Sequence, residues 1–213
     1  MDYRTRTARW LLGVSAHPGG IALTGHLLDR MDLPVGSHVL DVACGRGATL
    51  KLLRASGMIA YGVDREPSTR SALVADAHAL PFASGSFDGL TCECSLSTFG
   101  RPDVALAEMR RVLRPGGILG VTDVLLDRDL APAPVTAAVD RLTAARTLRG
   151  YEELTGAAGF TVTVVEDRPQ DAAALLRRLR RRLPLLRTLR ECAEAVGSGA
   201  LSYGLLVARV PVS

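Results

Sequence analysis

The stretch LDVACGRGATL (40–50) constrains the fold of this chain more than any other. An apolar run, HVLDVAC (38–44), carries Asp41 near its end, then turns through Ala43, Gly45 and Gly47 into a helical pattern, RGATLKLLRAS (46–56). Small residues let a backbone approach a ligand closely, and the helix N-terminus that follows offers unpaired N–H groups to a carboxylate or phosphate. The spacing departs from a dinucleotide fingerprint. Small residues fall at 43, 45 and 47, and the position three after Gly47 is Leu50. The turn alone leaves its ligand open.

Further apolar runs follow: IAYGVD (59–64), ALVAD (72–76), SFDGLTCEC (86–94), GILGVTDVLL (117–126), TVTVVED (161–167) and SYGLLVARV (202–210). The first five runs of the chain are continuously apolar, as expected of strands covered on both faces. Helical patterns at 46–56, 102–113 and 151–159 lie between them, with RPGG read as a turn. This alternation predicts right-handed βαβ units and an α/β, doubly wound sheet. Residues 3–31 predict one or two helices broken at HPGG. Residues 170–196 predict an arginine-rich helix interrupted at Pro184. Its leucines 175, 176, 179, 183 and 186 form one stripe, with Arg177, Arg178, Arg180, Arg181 and Arg182 largely elsewhere.

At 213 residues and 47% hydrophobic the chain can bury one full core, so a single domain over 1–213 is expected. The net charge of +4 comes almost wholly from arginine, Lys51 being the only lysine, and says little about partners. Without aromatics interleaved among its arginines the 170–196 segment points away from nucleic acid, and its charges read as a solvated face. No apolar run approaches the roughly 18–20 residues of a membrane span, and the N-terminal apolar stretch is too short for a signal peptide. A cytoplasmic protein is expected. Cys44, Cys92, Cys94 and Cys192 show no framework spacing, so reduced thiols are expected, and no paired ligands suggest a metal.

The surroundings of the turn narrow its ligand. GVD places Asp64 at the end of the second strand, where a carboxylate can hold two ribose hydroxyls. ADAHALPF then places Asp76 and Ala77 after the third strand, followed by SFDGL and RVLRPGG. In this order and spacing residues 36–126 resemble the class I S-adenosylmethionine-dependent methyltransferases. The resemblance implies a Rossmann-like seven-stranded sheet of order 3-2-1-4-5-7-6, last strand antiparallel, with helices on both faces. It implies an N-terminal helical cap (1–35), a cofactor-binding core (36–126) and a C-terminal part (127–213) with a helical insertion (170–196) before the last strand. The implied cofactor is S-adenosylmethionine. Ala43, Gly45 and Gly47 would line its methionine portion, with Cys44 in the same turn and Asp41 supporting it. Asp64 would bind the ribose, Asp76 the adenine amine with Ala77 alongside, and Arg65 the adenine face, with Glu93 completing the shell. The family usually has glycine where this chain has Ala43.

Methyl transfer from a sulfonium is an in-line displacement, so alignment and exclusion of water matter most. A base is needed only for a protonated, poorly nucleophilic acceptor, and no triad is visible. The acceptor pocket is expected at the ends of strands four and five and the N-terminal helices, from Trp10, His17, Glu93, Cys94, Ser95 and Asp123. His17, Glu93 and Cys94 are the candidates for chemistry, while His26, His38 and His78 read as structure or surface. CECSLSTFGRPDVAL and RVLRPGGILGVTDV also look similar to arsenite methyltransferases, which would give Cys94 a thiol role. Those enzymes carry a further cysteine after strand five, which VDRLTAARTLRGYEELTGAAGF lacks. Strand alternation sends Cys92 and Cys94 to one face and Glu93 to the other. The leading expectation is methyl transfer to a small-molecule acceptor. The alternatives are a metalloid or thiol methyltransferase using Cys94, and a non-catalytic cofactor-binding or interaction protein.

Overall fold

A computed structural model of the chain describes residues 17–183 and 187–212. Trp10, Pro184, Leu186 and the helix expected before residue 17 lie outside the described residues. The elements run α1 (Gly20–Met31), β1 (His38–Val42), α2 (Ala48–Ala55), β2 (Ile59–Asp64), β3 (Leu73–Val74) and β4 (Phe87–Glu93). A 3-10 turn (Leu96–Thr98), α3 (Pro102–Val112), β5 (Leu113–Leu126), α4 (Ala133–Asp140) and α5 (Leu148–Ala157) follow. The chain then forms β6 (Thr161–Asp167), α6 (Pro169–Arg182), α7 (Arg187–Gly197) and β7 (Leu201–Arg209).

The seven strands form one sheet of order β3-β2-β1-β4-β5-β7-β6. Pairing is parallel from β3 through β5, and β7 is antiparallel to both β5 and β6. The carboxyl ends of β1, β2 and β4 therefore open onto one edge, where ligands of open α/β sheets bind. Side chains alternate between two apolar layers. Leu40, Leu90, Cys92, Leu119 and Val121 pack with α3 and Tyr151 of α5 on one face. Leu23, Leu27 and Met31 of α1 pack with α4, α6, α7 and the β7 residues Leu205 and Val207 on the other.

Several boundaries differ from expectation for physical reasons. β1 stops at Val42 rather than residue 44, because Ala43 takes a left-handed φ of 60°. β5 begins at Leu113, not 117: RPGG is an irregularity inside the strand, with Gly116 at φ 76° and pairing that slips between Phe87 and Gly89. α5 starts at Leu148 because the Thr147 hydroxyl accepts the Gly150 N–H at 3.1 Å. The arginine-rich segment forms two helices, α6 burying Ala172 and Leu176 and α7 burying Cys192, Ala195 and Val196.

Close approach of α1 to the sheet centre rests on Gly120 in β5, where an added Cβ would sit 2.6 Å from Met31 Sδ and 3.1 Å from Leu27 Cδ1. Gly120→Ala is expected to cost about 2 kcal/mol through overpacking. A melting temperature at or above wild type would show that α1 does not press there.

Candidate cofactor site

The turn after β1 is built from consecutive departures from extended backbone. Ala43 (φ 60°), Gly45 (φ 51°) and Gly47 (φ 72°) are all left-handed. The Gly47 N–H donates to Cys44 O at 2.8 Å, and the Cys44 N–H to Val63 O at 3.0 Å, which fastens the turn to β2. A Cβ on Gly45 would meet nothing within 4 Å, so open space lies over the turn. α2 starts without a side-chain cap, leaving first-turn N–H groups for a ligand. The Cys44 side chain lies toward Gly62, where a Cβ would come within 2.9 Å of its sulfur. Burial first, then the charges of Asp41 and Asp64, push that thiol up to about 12.

Carboxylates surround the turn. Asp64, at the end of β2, accepts the Gly45 N–H on Oδ2 at 2.9 Å and the Glu66 N–H on Oδ1 at 2.8 Å. Asp76 accepts the backbone N–H of His78 at 2.9 Å and meets its ring Nδ1 at 2.5 Å, both on Oδ1. These His78 contacts, the backbone one first, hold Asp76 below the usual carboxylate range. Ala77 beside it is buried, and Arg65 is exposed with its charge felt at Asp76. Asp41, 3% exposed, accepts the Thr91 hydroxyl on Oδ1 at 2.9 Å, while its Oδ2 has no partner. Burial first, and the negative charge of Glu93 second, push its pKa well above the ordinary carboxylate range.

Glu93 is the hub of a network that sequence reasoning missed. It accepts the Thr24 hydroxyl of α1 (3.1 Å to each oxygen), the Thr49 hydroxyl of α2 (2.9 Å) and, more distantly, the Thr122 hydroxyl of β5 (3.5 Å). Thr122 also meets the Tyr203 hydroxyl at 3.2 Å. His17 Nδ1 lies 2.8 Å from Pro18 O and donates to it in the neutral or charged ring, which turns Nε2 toward Glu93 Oε2 at 3.8 Å. The threonines come from three elements and carried no spacing that could have announced the cluster.

The segment after β4 corrects the face assignment of the cysteines. Cys94 takes φ 52°, and its N–H donates to Thr122 O at 2.6 Å. That left-handed residue breaks the alternation, so Cys92 packs in the α3 layer and Cys94 against the α1 layer. Burial first, then Asp123, push the Cys94 thiol up to about 12. Ser95 donates its hydroxyl to Glu93 O at 2.9 Å. Asp123, buried in β5, accepts the Ser97 N–H (2.8 Å) and hydroxyl (2.6 Å) and the Val124 N–H (2.8 Å), and so holds the 3-10 turn against the sheet. Among the described residues no cluster of three or more His, Cys, Asp or Glu is arranged to hold a metal ion.

A glycine-lined turn, an uncapped helix start and carboxylates at the ends of β1, β2 and β4 define a Rossmann-like fold whose carboxyl edge suits a cationic, ribose-bearing ligand. Residues 40–121 match the family described as a methyltransferase domain. A demethylmenaquinone methyltransferase of Renibacterium salmoninarum is 37% identical over 108 residues, covering 46% of this chain and 45% of that protein. The chain spans about half the length of the curated relatives it matches. Among solved structures, the [4+2]-cyclase SpnF aligns with a TM-score of 0.71 at 26% identity, covering 90% of this chain and 82% of that one. A geranyl diphosphate methyltransferase in complex with S-adenosylmethionine aligns with a TM-score of 0.78 at 19% identity, covering 90% and 85%. Over residues 40–121 the chain is similar to a methyltransferase domain, and its fold is that of the solved methyltransferase structure. That last structure holds S-adenosylmethionine, and the partnerless Asp41 Oδ2 and the open space over Gly45 of this chain fit such a ligand. Because a neighbour on this fold is titled a cyclase, the fold does not by itself name the reaction.

Proposed function

We propose that the chain transfers a methyl group from S-adenosylmethionine to a small-molecule acceptor at the carboxyl edge of the sheet. The observation that carries this reading is the set of acceptors around one open turn: Asp41, Asp64 and Asp76 with the uncapped start of α2. Asp64 would take the ribose hydroxyls, since each of its oxygens is already oriented by one N–H and keeps a further lone pair. Asp76, with both protein contacts on Oδ1, would take the adenine amine on Oδ2, with Ala77 and Arg65 beside the ring. Ala43, Cys44, Gly45 and Gly47 would run under the methionine portion, their backbone and the first N–H groups of α2 facing its carboxylate. Asp41 and Glu93 would face its positive charge.

When bound, the cofactor supplies an electrophilic methyl group on a sulfonium. The chain's own part is to orient, to exclude water and to supply a polar wall for the acceptor. Glu93 ends β4 there, Cys94 and Ser95 follow it, Asp123 fixes the 3-10 turn that comes next, and His17 and Thr24 bring α1 against it. His17 Nε2 faces the Glu93 carboxylate, which makes it part of this wall rather than a free base. Cys94 is half-buried, and among the described residues no cluster of three or more His, Cys, Asp or Glu is placed to share a soft metalloid with it, so the metalloid reading is not carried forward.

Two measurements test the proposal. Calorimetry should show binding of S-adenosylhomocysteine by the wild-type chain; no binding overturns it. Radiolabelled methyl transfer from the cofactor into a metabolite extract should yield a labelled small molecule. Binding without transfer into any extract would favour the non-catalytic alternative instead.

A further inference from the structure

Several half-buried carboxylates elsewhere in the chain hold an arginine. Glu108 pairs with Arg111, Glu166 with Arg30 and Arg168, and Asp171 with Arg168. Asp41 and Glu93, 3% and 8% exposed, are more buried than any of these. Neither meets an arginine or lysine among the described residues; their partners are the hydroxyls of Thr91, Thr24, Thr49 and Thr122 and the His17 ring. Adjacent strands bring the two acids to the same edge, with Asp41 opposite Thr91 in β1–β4 pairing and Glu93 two residues further along β4. Two like charges out of water without a counter-cation are costly, and hydroxyl hydrogen bonds recover only part of that cost. The arrangement also leaves one acceptor, Asp41 Oδ2, buried and without a partner. A binding site so constructed gains most from a ligand that brings positive charge into it.

The cofactor assigned above differs from its product in that one respect. S-adenosylmethionine carries a sulfonium cation, and S-adenosylhomocysteine has a neutral thioether with the same ribose, adenine, amine and carboxylate. Asp64 and Asp76 see groups the two ligands share. Glu93 and Asp41 lie at the end of β4 and β1, beside the turn proposed to run under the methionine portion. We propose that Glu93, acting with Asp41, is the specificity determinant that makes this chain bind the sulfonium cofactor in preference to its neutral thioether product. Loss of the positive charge on methyl transfer then loosens the product. The inference rests on the cofactor reading of the preceding subsection. The upward displacement of the Asp41 pKa, by burial first and the Glu93 charge second, agrees with a site short of positive charge.

A purely structural role for Glu93 would make its replacement weaken both ligands alike, which gives the test. Calorimetry on the full chain compares S-adenosylmethionine and S-adenosylhomocysteine for wild type and Glu93→Gln. Glutamine keeps the shape and an acceptor for Thr49 while removing the charge. The expected result is an affinity for the sulfonium lower by about tenfold, and an affinity for the thioether changed by less than about twofold, the size of one partly screened charge interaction. Equal weakening of both ligands, or no change in either, overturns the proposal. Failure of the wild type to bind either ligand overturns the cofactor reading itself, and this inference with it.

Should Glu93→Gln not fold, wild type alone decides. At neutral pH it should bind S-adenosylmethionine at least about fivefold more tightly than S-adenosylhomocysteine, the size of one partly screened charge interaction. Equal or tighter binding of the thioether overturns the proposal.

Discussion

Asp64→Ala is expected to lower the affinity for S-adenosylhomocysteine at least about a hundredfold, close to 3 kcal/mol. Two losses combine. The alanine cannot contact the ribose, and the turn loses its tether, since Asp64 Oδ2 holds the Gly45 N–H at 2.9 Å and Oδ1 the Glu66 N–H at 2.8 Å. Hydrogen bonds to a charged group are each worth about 1.5–3 kcal/mol. Gly45 sits at a left-handed φ of 51° in open space, and once the carboxylate is gone the Ser68 N–H, which donates to Gly45 O at 2.9 Å, is left to hold it. Asp64→Asn should fall between wild type and alanine, because one oxygen can still accept while the amide NH₂ opposes the other N–H. Both substitutions should also lower the melting temperature by a few degrees, alanine more than asparagine, because the turn loses these tethers. Calorimetry checks the affinities. A loss smaller than about fivefold for Asp64→Ala would place the ribose elsewhere.

The legible parts of this chain were those whose signal is local. β2 and β6 occupy 59–64 and 161–167 as their apolar runs predict, and the sheet order is the one that the family resemblance of residues 36–126 implies. The turn at Ala43–Gly47 was legible because small residues at those positions have a conformational reason, confirmed in the left-handed φ at 43, 45 and 47. α4 was not legible: Ala133–Asp140 is short, carries Pro134 in its first turn, and buries only Val135 and Val139. Nor was the split of Cys92 from Cys94, because strand alternation assumes extended backbone and Cys94 leaves it at φ 52°. The Glu93 network was illegible for a different reason. Thr24, Thr49 and Thr122 lie 69, 44 and 29 residues from Glu93, and only the assembled fold brings those hydroxyls to one carboxylate. Single threonines in helices and strands have no pattern to read.

Asp123 gives the second large effect, on stability rather than binding. Burial raises its pKa from 3.8 to about 6, against the opposing pull of the Ser97 hydroxyl, the Ser97 N–H and the Val124 N–H. Its native-state affinity for a proton therefore exceeds that of the unfolded chain. The contribution to stability is fully present below the unfolded value near 3.8 and is lost as pH rises through about 6. The complete loss amounts to about 3 kcal/mol, and about 2 kcal/mol of it falls between pH 4.5 and pH 7. Carboxylates held down by partners, such as Glu166 beside His26 and Arg30, act with the opposite sign over a lower range. The net curve of the wild type therefore mixes the two, and comparison with Asp123→Asn isolates the one of interest. Urea unfolding at those two pH values should show the wild type losing about 2 kcal/mol more than the variant on going to the higher pH. The absolute stability of the variant is a poorer guide, because an amide NH₂ facing the Ser97 or Val124 N–H adds its own cost. Equal pH dependence in the two proteins would mean that Asp123 is ionised throughout. The clamp of β5 on the turn after Cys94 would then be a charged one at every pH tested.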